Sequence, residues 1–165
     1  MLGMPSESRK ADLMRKDYYN DPGAPRANKI VAAASAIVER DKQIILQRRK
    51  DSGLWSLPGG VMEIGERIAD TCVREVLEET GLKVRIVRLL GVYSDPNHVI
   101  AYSDGEIRQQ FSLCFVCYAE AGSIQLSSES TRVQWFALSS LPSDIPATQM
   151  IRINDYLTAE GPFIR

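Results

Sequence analysis

The stretch from residue 66 to residue 80 constrains the fold of this chain more than any other. Apolar residues recur there at spacings of three and four, the period of a helix with one buried face: Ile68, Cys72, Val73, Val76 and Leu77. Gly81 follows where a glycine commonly ends a helix. The spacing predicts an amphipathic helix over 66–80, which needs an apolar layer to cover its buried face.

Strand patterns surround this helix on both sides. Short β-branched or alternating runs predict five strands, at 31–38, 43–48, 84–92, 107–118 and 132–136, and a second helix at 146–157. Cys114 and Cys117 should lie on opposite faces of the fourth strand, because side chains alternate along a strand. Strands before and after one well-marked helix predict a mixed α/β domain.

The length of 165 residues favours a single domain with an N-terminal extension. Residues 1–28 are predicted to form that extension. Within it, Ser6–Tyr19 is predicted to form a short helix, which the turn-forming residues Asn20–Pro25 end. The main domain is predicted to span 29–165.

Charge and cysteine content exclude several classes of protein. Lys and Arg total 20 against 21 Asp and Glu, and this net charge of −1 argues against a nucleic-acid polymer as partner. The three cysteines are an odd number, so a disulfide framework is not expected. The polar start lacks the apolar core of a signal peptide, and no apolar run approaches the ~20 residues of a membrane span. We therefore expect a cytoplasmic protein with no membrane partner.

The predicted helix also carries an acidic face. Glu75, Glu78 and Glu79 are three or four residues apart and share one side. Like charges at this spacing destabilise a helix by ~0.2–0.5 kcal/mol, and the helix dipole disfavours anions towards the C-terminal end. A hard divalent cation such as Mg²⁺, which prefers oxygen ligands, would relieve the conflict. The alternative is a solvated acidic face in which Arg74 pairs with Glu78.

The residues that flank the glutamates favour the metal. From Gly60 to Leu82 the chain reads GVMEIGERIADTCVREVLEETGL, which matches the Nudix box at every fixed position. The chain therefore resembles a Nudix hydrolase, and the likeness extends over residues 30–157 through Trp55–Gly60 and Trp135–Phe136. The resemblance implies a Nudix-type α/β/α sandwich with a mixed β-sheet, with 29–165 as the Nudix hydrolase domain.

The resemblance also implies a reaction. Water would attack one phosphorus of a diphosphate linked to a nucleoside, and Mg²⁺, or Mn²⁺ in its place, would neutralise the developing charge. By position in the box, the metal ligands would be the Gly59 carbonyl and the carboxylates of Glu75, Glu78 and Glu79. A structural role, holding the loop against the helix, would fall to Gly60, Glu66, Arg74 and Gly81.

Family members often take one more carboxylate from a loop outside the box. Glu129, which stands just before the predicted strand 132–136, is favoured as metal ligand or catalytic base over its rival Glu106. The identity of the catalytic base stays open among Glu78, Glu79 and Glu129.

Three residues are candidates for binding the substrate. Arg49 ends the strand that enters the loop, where a guanidinium can hold a phosphate. His98, the single histidine, lies in a predicted loop, and Thr148 stands near the start of the last helix. A solvated strand end for Arg49 and a structural hydrogen bond for His98 are the alternatives.

The substrate is predicted less sharply than the chemistry. Residues 146–149 lack the purine-reading asparagine of relatives that remove oxidised guanine nucleotides, and Pro96 lies close to the proline register of ADP-ribose-cleaving relatives. We expect a small nucleoside-diphosphate derivative, ADP-ribose-like first and a (deoxy)nucleoside triphosphate second. A non-catalytic nucleotide-binding regulatory module is the competing class, which the intact box disfavours. A homodimer is expected because many relatives are dimers.

Overall fold

The computed structural model describes residues 14–165, which form ten strands and two helices. The strands are β1 (Arg15–Tyr19), β2 (Lys29–Arg40), β3 (Gln43–Arg49), β4 (Trp55–Ser56), β5 (Gly59–Val61), β6 (Leu82–Tyr93), β7 (His98–Tyr102), β8 (Ile107–Gly122), β9 (Ser130–Ala137) and β10 (Phe163–Ile164). The helices are α1 (Ile68–Thr80) and α2 (Ala147–Leu157). The five predicted strands and both predicted helices are present, and each of these five strands extends further than predicted.

The strands form one mixed sheet. Its main path runs β1-β7-β8-β2-β3-β4, while β5 pairs with β2, β6 with β8, β9 with β3 and β10 with β6. The β2–β8 and β6–β10 pairings are parallel, and the other pairings are antiparallel. The predicted α/β fold with a mixed sheet is confirmed.

The central strand β2 separates two apolar cores, because its side chains alternate between the two faces of the sheet. Ala36 and Val38 pack in one core with Val76 of α1. Ile37 packs in the other core with Ile153 of α2. One helix therefore covers each face, which is the predicted three-layer α/β/α arrangement.

Helix α1 ends at Gly81, as predicted. Gly81 has a φ of +76°, and its N–H donates to the carbonyl of Leu77 at 2.9 Å. The helix begins at Ile68 rather than at Glu66, because the backbone of Arg67 is extended, with a φ of −86° and a ψ of 149°. Leu77, expected on the packed face, is 42% exposed, so that face is narrower than predicted.

Two local predictions are wrong. Residues 15–19, predicted as part of a short helix, form β1, while residues 6–13 of that prediction lie outside the described part of the chain. His98, predicted in a loop, begins β7 and pairs with Tyr19 of β1. All the strand pairing of β1 comes from β7, far along the chain, which a local sequence pattern does not record. β7 lies between β1 and the nearby β8, with which it also pairs.

The cysteines behave as expected from the sequence. Cys72, Cys114 and Cys117 are buried free thiols. Cys114 and Cys117 belong to different cores on opposite faces of the sheet.

Neither α1 nor α2, the helices of residues 14–165, is long and apolar enough to cross a membrane.

Candidate active site

Residues from β2, β5, β8 and both helices line one cavity of about 280 Å³. Acidic side chains outnumber basic ones in its lining. The arginines are Arg15, Arg49, Arg108 and Arg152, and the more numerous acids are Asp17, Asp51, Glu75, Glu79, Asp104, Glu106 and Glu129. The fold therefore brings part of the acidic helix face together with charges that are remote in sequence.

Glu79 is the most buried acid of this lining. Its side chain projects from α1, and its Oε2 accepts a hydrogen bond of 2.7 Å from the backbone N–H of Gly59. Gly59 packs so closely on β2 that a Cβ there would stand 2.3 Å from the carbonyl oxygen of Ala34. Burial raises the pKa of Glu79 to about 8, and the negative charge of Glu75 raises it further. The hydrogen bonds that the Glu79 carboxylate accepts act in the opposite direction.

Glu75 lies one helical turn before Glu79 and faces the same loop. Its carboxylate occupies the space that a side chain at residue 60 would need, since a Cβ on Gly60 would stand 2.4 Å from that carboxylate. Arg74 donates to Glu75 Oε1 at 2.8 Å. Burial nevertheless raises the pKa of Glu75, with the charges of Glu78 and Glu129 contributing. A glycine at position 60 is therefore what allows Glu75 to approach the loop.

Glu66 and Arg74 tie that loop to the helix. Arg74 donates from Nε to Glu66 Oε1 at 2.5 Å and from Nη2 to Oε2 at 2.9 Å. Arg74 Nη2 also donates to the carbonyl of Val61 at 3.1 Å, while Glu66 accepts from the Glu63 N–H and the Thr71 hydroxyl. These contacts, led by that with Arg74, lower the pKa of Glu66 to about 2. The geometry is that of a structural brace.

Glu78 does not line the cavity. Its side chain is 47% exposed and accepts a hydrogen bond of 3.2 Å from Arg74. This is the pairing of Arg74 with Glu78 that the sequence offered as the alternative to a metal site. Successive residues on a helix are 100° apart, so Glu78 and Glu79 cannot both point the same way. The structure thus brings together two of the three box glutamates and leaves the third at the surface.

The two candidate loop carboxylates lie in different surroundings. Glu129 lines the cavity, and within residues 14–165 its carboxylate has no hydrogen bond or ion pair. Glu106 also lines the cavity, but it forms an ion pair of 2.6 Å with Lys29 and another with Arg108. The charge of Glu129 acts on both Glu75 and Arg49. The geometry therefore favours Glu129 over Glu106 as the additional carboxylate.

Two of the three candidate substrate-binding residues line the cavity. Arg49 does so while forming a two-pronged contact with Asp51, at 2.9 and 2.7 Å. Thr148 lines the cavity from the first turn of α2, next to Gln149. His98 does not line it: the imidazole is buried, with Nε2 at 3.5 Å from Asp17.

Several lining residues escaped the sequence interpretation. Arg15 and Asp17 come from β1, inside the predicted extension, and they are linked by hydrogen bonds of 3.1 and 2.9 Å. Ser56 and Arg152 line the cavity with buried polar atoms that lack a hydrogen-bond partner in residues 14–165. The one available signal was the spacing of Thr148 and Arg152, four residues apart on a predicted helix.

The carboxylate end of the cavity suits a divalent cation. Glu75 and Glu79 both have raised pKa values, because burial and neighbouring glutamates disfavour their charged forms. Carboxylate and carbonyl oxygens are hard donors of the kind that Mg²⁺ and Mn²⁺ accept. Within residues 14–165 no three His, Cys, Asp or Glu side chains form a ready-made metal cage. The glutamates would therefore have to converge on the ion.

A family model of the NUDIX domain matches residues 29–157. The chain belongs to the Nudix family. It is a Nudix hydrolase, an enzyme that acts on phosphoric anhydride bonds, and the family acts on small nucleotide substrates with divalent metal cations. Both β1 and β10 of this Nudix hydrolase lie outside the matched range.

Individual relatives agree with this assignment. A MutT-like protein of Streptomyces ambofaciens is 35% identical, over 82% of this chain and 81% of the relative. An ADP-ribose pyrophosphatase of Methanocaldococcus jannaschii is 32% identical, over 81% of this chain and 73% of the relative. The crystal structure of a NUDIX hydrolase from Nitrosomonas europaea superposes with a TM-score of 0.69, covering 84% of this chain and 80% of that one at 22% identity. The last likeness concerns the fold alone.

Proposed function

We propose that this Nudix hydrolase cleaves the diphosphate linkage of a small nucleoside-diphosphate derivative, with an ADP-ribose-like compound as the favoured substrate and Mg²⁺ as the cofactor. One observation carries the proposal: a single cavity joins the carboxylates of Glu75, Glu79 and Glu129 to a wall that bears arginines. Carboxylates can hold a metal and arginines can hold phosphate, the two requirements of metal-assisted diphosphate hydrolysis.

The proposed metal ligands are the Gly59 carbonyl and the carboxylates of Glu75 and Glu79, with Glu78 acting from the surface through water. When bound, Mg²⁺, or Mn²⁺ in its place, would supply charge neutralisation at the diphosphate oxygens. Gly60, Glu66, Arg74 and Gly81 keep the loop and the helix in position around this set.

Glu129 is the proposed catalytic base. Its carboxylate is free of protein partners in residues 14–165, whereas Glu79 is held by the Gly59 N–H and Glu78 lies outside the cavity. A carboxylate with no competing partner can accept a proton from a water molecule positioned in the cavity.

The remaining lining residues are proposed to bind the substrate. Arg49 would contact a phosphate, and Thr148 with Gln149 would contact the nucleoside. His98 is left out, because it does not line the cavity. The Methanocaldococcus jannaschii relative is an ADP-ribose pyrophosphatase, which supports ADP-ribose over a (deoxy)nucleoside triphosphate.

A nucleotide panel with and without Mg²⁺ tests the proposal. ADP-ribose, UDP-glucose and the common nucleoside triphosphates are incubated with the enzyme, and the products are separated by chromatography. We expect Mg²⁺-dependent release of AMP from ADP-ribose. Turnover of triphosphates alone would instead assign the second substrate class, and binding without turnover of any compound would indicate a regulatory module.

Two further properties stay predictions. A cytoplasmic location is proposed from the composition of the chain. A homodimer is proposed because many members of the family are dimers. Light scattering of the purified protein would measure the oligomeric state directly.

A further inference from the structure

Arg152 differs from the other arginines that line the cavity. Three of the four have an acidic partner: Arg15 pairs with Asp17, Arg49 with Asp51, and Arg108 with Glu106. Arg152 has no acidic partner within residues 14–165.

The Arg152 side chain is also deeply buried. The residue is 3% exposed, and its Nη1 donates one hydrogen bond of 3.3 Å to the hydroxyl of Ser35. The buried Nε has no acceptor in the described part of the chain. A buried charge costs a large free energy unless another charge compensates it, so folding alone does not explain a guanidinium at this place.

Neighbouring side chains hold the guanidinium in position without neutralising it. It lies over the ring of Tyr93, with Cζ 4.9 Å from the ring centroid. The Tyr93 hydroxyl donates to Asp155 at 3.0 Å, and Arg165 donates to the same carboxylate at 2.6 and 3.2 Å. The nearby acid is therefore already paired, and Arg152 forms no ion pair within residues 14–165.

The position of Arg152 relative to the carboxylate end suggests what compensates it. Ser35, which accepts its hydrogen bond, pairs directly with Gly59 in the β2–β5 ladder. Gly59 supplies the proposed carbonyl ligand of the metal. Ser35, Gly59 and Arg152 all line the same cavity, so a phosphate held at the metal would share that cavity with the guanidinium. The Ser56 hydroxyl, a buried donor without a hydrogen-bond partner in residues 14–165, also lines it.

We infer that Arg152 binds the substrate directly, through a non-bridging oxygen of the phosphate attached to the nucleoside. This inference rests on the proposed function, because it places the diphosphate in the same cavity. A guanidinium has only donors and a permanent charge, so phosphate matches it better than the mixed donors and acceptors of a base. Tyr93 acts as a positioning residue behind it.

Calorimetric titration with AMP, GMP and adenosine in the presence of Mg²⁺ tests the inference. In Arg152→Met we expect affinity for AMP and for GMP to fall by about 10- to 100-fold, while affinity for adenosine stays unchanged. Arg152→Lys keeps the charge and loses the planar fork, so it should be intermediate. Arg85→Met, which removes an exposed arginine paired with Glu120, is the control and should bind like the wild type.

Thermal unfolding without ligand separates this role from a structural one. Replacement of an uncompensated buried charge by a side chain of similar volume is often neutral or stabilising, so Arg152→Met should melt no lower than the wild type. Four results would overturn the inference: unchanged AMP affinity, an equal loss for adenosine, a loss confined to one of the two bases, or lower stability in both Arg152 variants. AMP and GMP serve as binding probes and need no turnover, so the nucleotide panel alone judges the proposed function.

Discussion

At the scale of single residues, Glu79 shows where stability and chemistry make different demands. It is 4% exposed, and burial raises its pKa to about 8, so the charged form is disfavoured in the metal-free protein. A neutral side chain of the same shape would suit the fold better. A cation beside the carboxylate reverses that preference, because it stabilises the charged form.

Glu79→Gln should abolish most Mg²⁺-dependent turnover while the fold survives. Glutamine keeps the shape and can still accept the Gly59 N–H, but it lacks the charge that binds a hard cation. We expect kcat to fall by on the order of 100-fold or more, with circular dichroism and the melting temperature in chelator unchanged or improved. Glu120→Gln, at an exposed glutamate paired with Arg85, is the matched control. Near-wild-type turnover in Glu79→Gln would remove Glu79 from the metal site.

At the scale of elements, the join between α1 and the preceding loop decides whether the glutamates face the cavity. The loop carries Gly59 and Gly60, and the helix carries Glu75 and Glu79. Glu66, which bonds to both sides of the join, is the natural place to disturb it.

Glu66→Gln should destabilise the protein at neutral pH, and the effect should shrink in acid. The folded-state pKa of Glu66 is lowered to about 2, so its charge stabilises the fold above the unfolded value of about 4.5. That contribution is lost as pH falls from about 4.5 towards 2. Urea midpoints at pH 7 and pH 3 measure it, with Glu63→Gln, at an exposed glutamate in the same loop, as the control. An equal difference from the wild type at both pH values would contradict the linkage.

Gly81→Ala should destabilise the end of α1. The φ of +76° strains any side chain, and a Cβ would stand 2.4 Å from the carbonyl oxygen of Ser123. We expect a loss of about 2 kcal/mol or more in the free energy of unfolding. Gly53→Ala is the matched control, since its φ is +70° and no atom lies within 4 Å of an added Cβ. Gly53→Ala should lower the free energy of unfolding by about 1 kcal/mol, the cost of the positive φ without a steric clash. Equal losses in the two variants would show that the Ser123 contact relaxes freely.

At the scale of the whole molecule, the net charge of −1 hides an uneven distribution. The cavity is lined by more acids than arginines, and three of its four arginines are already paired. A diphosphate would therefore meet a repulsive surface in the metal-free protein. Bound metal inverts that local field, which couples the affinities for metal and nucleotide.

Mg²⁺ and AMP should each tighten the binding of the other by the same factor. The reason is thermodynamic reciprocity between two ligands that share one cavity. We expect at least a tenfold effect, about 1.4 kcal/mol of coupling, from calorimetry of AMP with and without Mg²⁺ and of Mg²⁺ with and without AMP. NaCl at matched ionic strength controls for screening. Unchanged AMP affinity in chelator would contradict the coupling.

Features that depend on near neighbours in the chain follow from the sequence of this protein by itself. The 3.6-residue period predicts α1, Gly81 predicts its end, and the box predicts a diphosphate-cleaving Nudix hydrolase, because each signal lies within one short stretch. Even within that stretch, the sequence predicts the same role, that of a metal ligand, for Glu78 and Glu79. Only the packing of the helix sends one into the cavity and the other to solvent.

Features that depend on remote neighbours were decided by the tertiary structure. β1 was predicted as helix because its strand pairing comes from β7, and Glu129 could be preferred to Glu106 on geometry only once the ion pairs of Glu106 were known. Arg152 reaches Ser35 across 117 residues of sequence, and no local pattern predicts that it lacks an acidic partner within residues 14–165. Charge pairing and burial are properties of three-dimensional proximity, which the order of residues along this chain does not reveal.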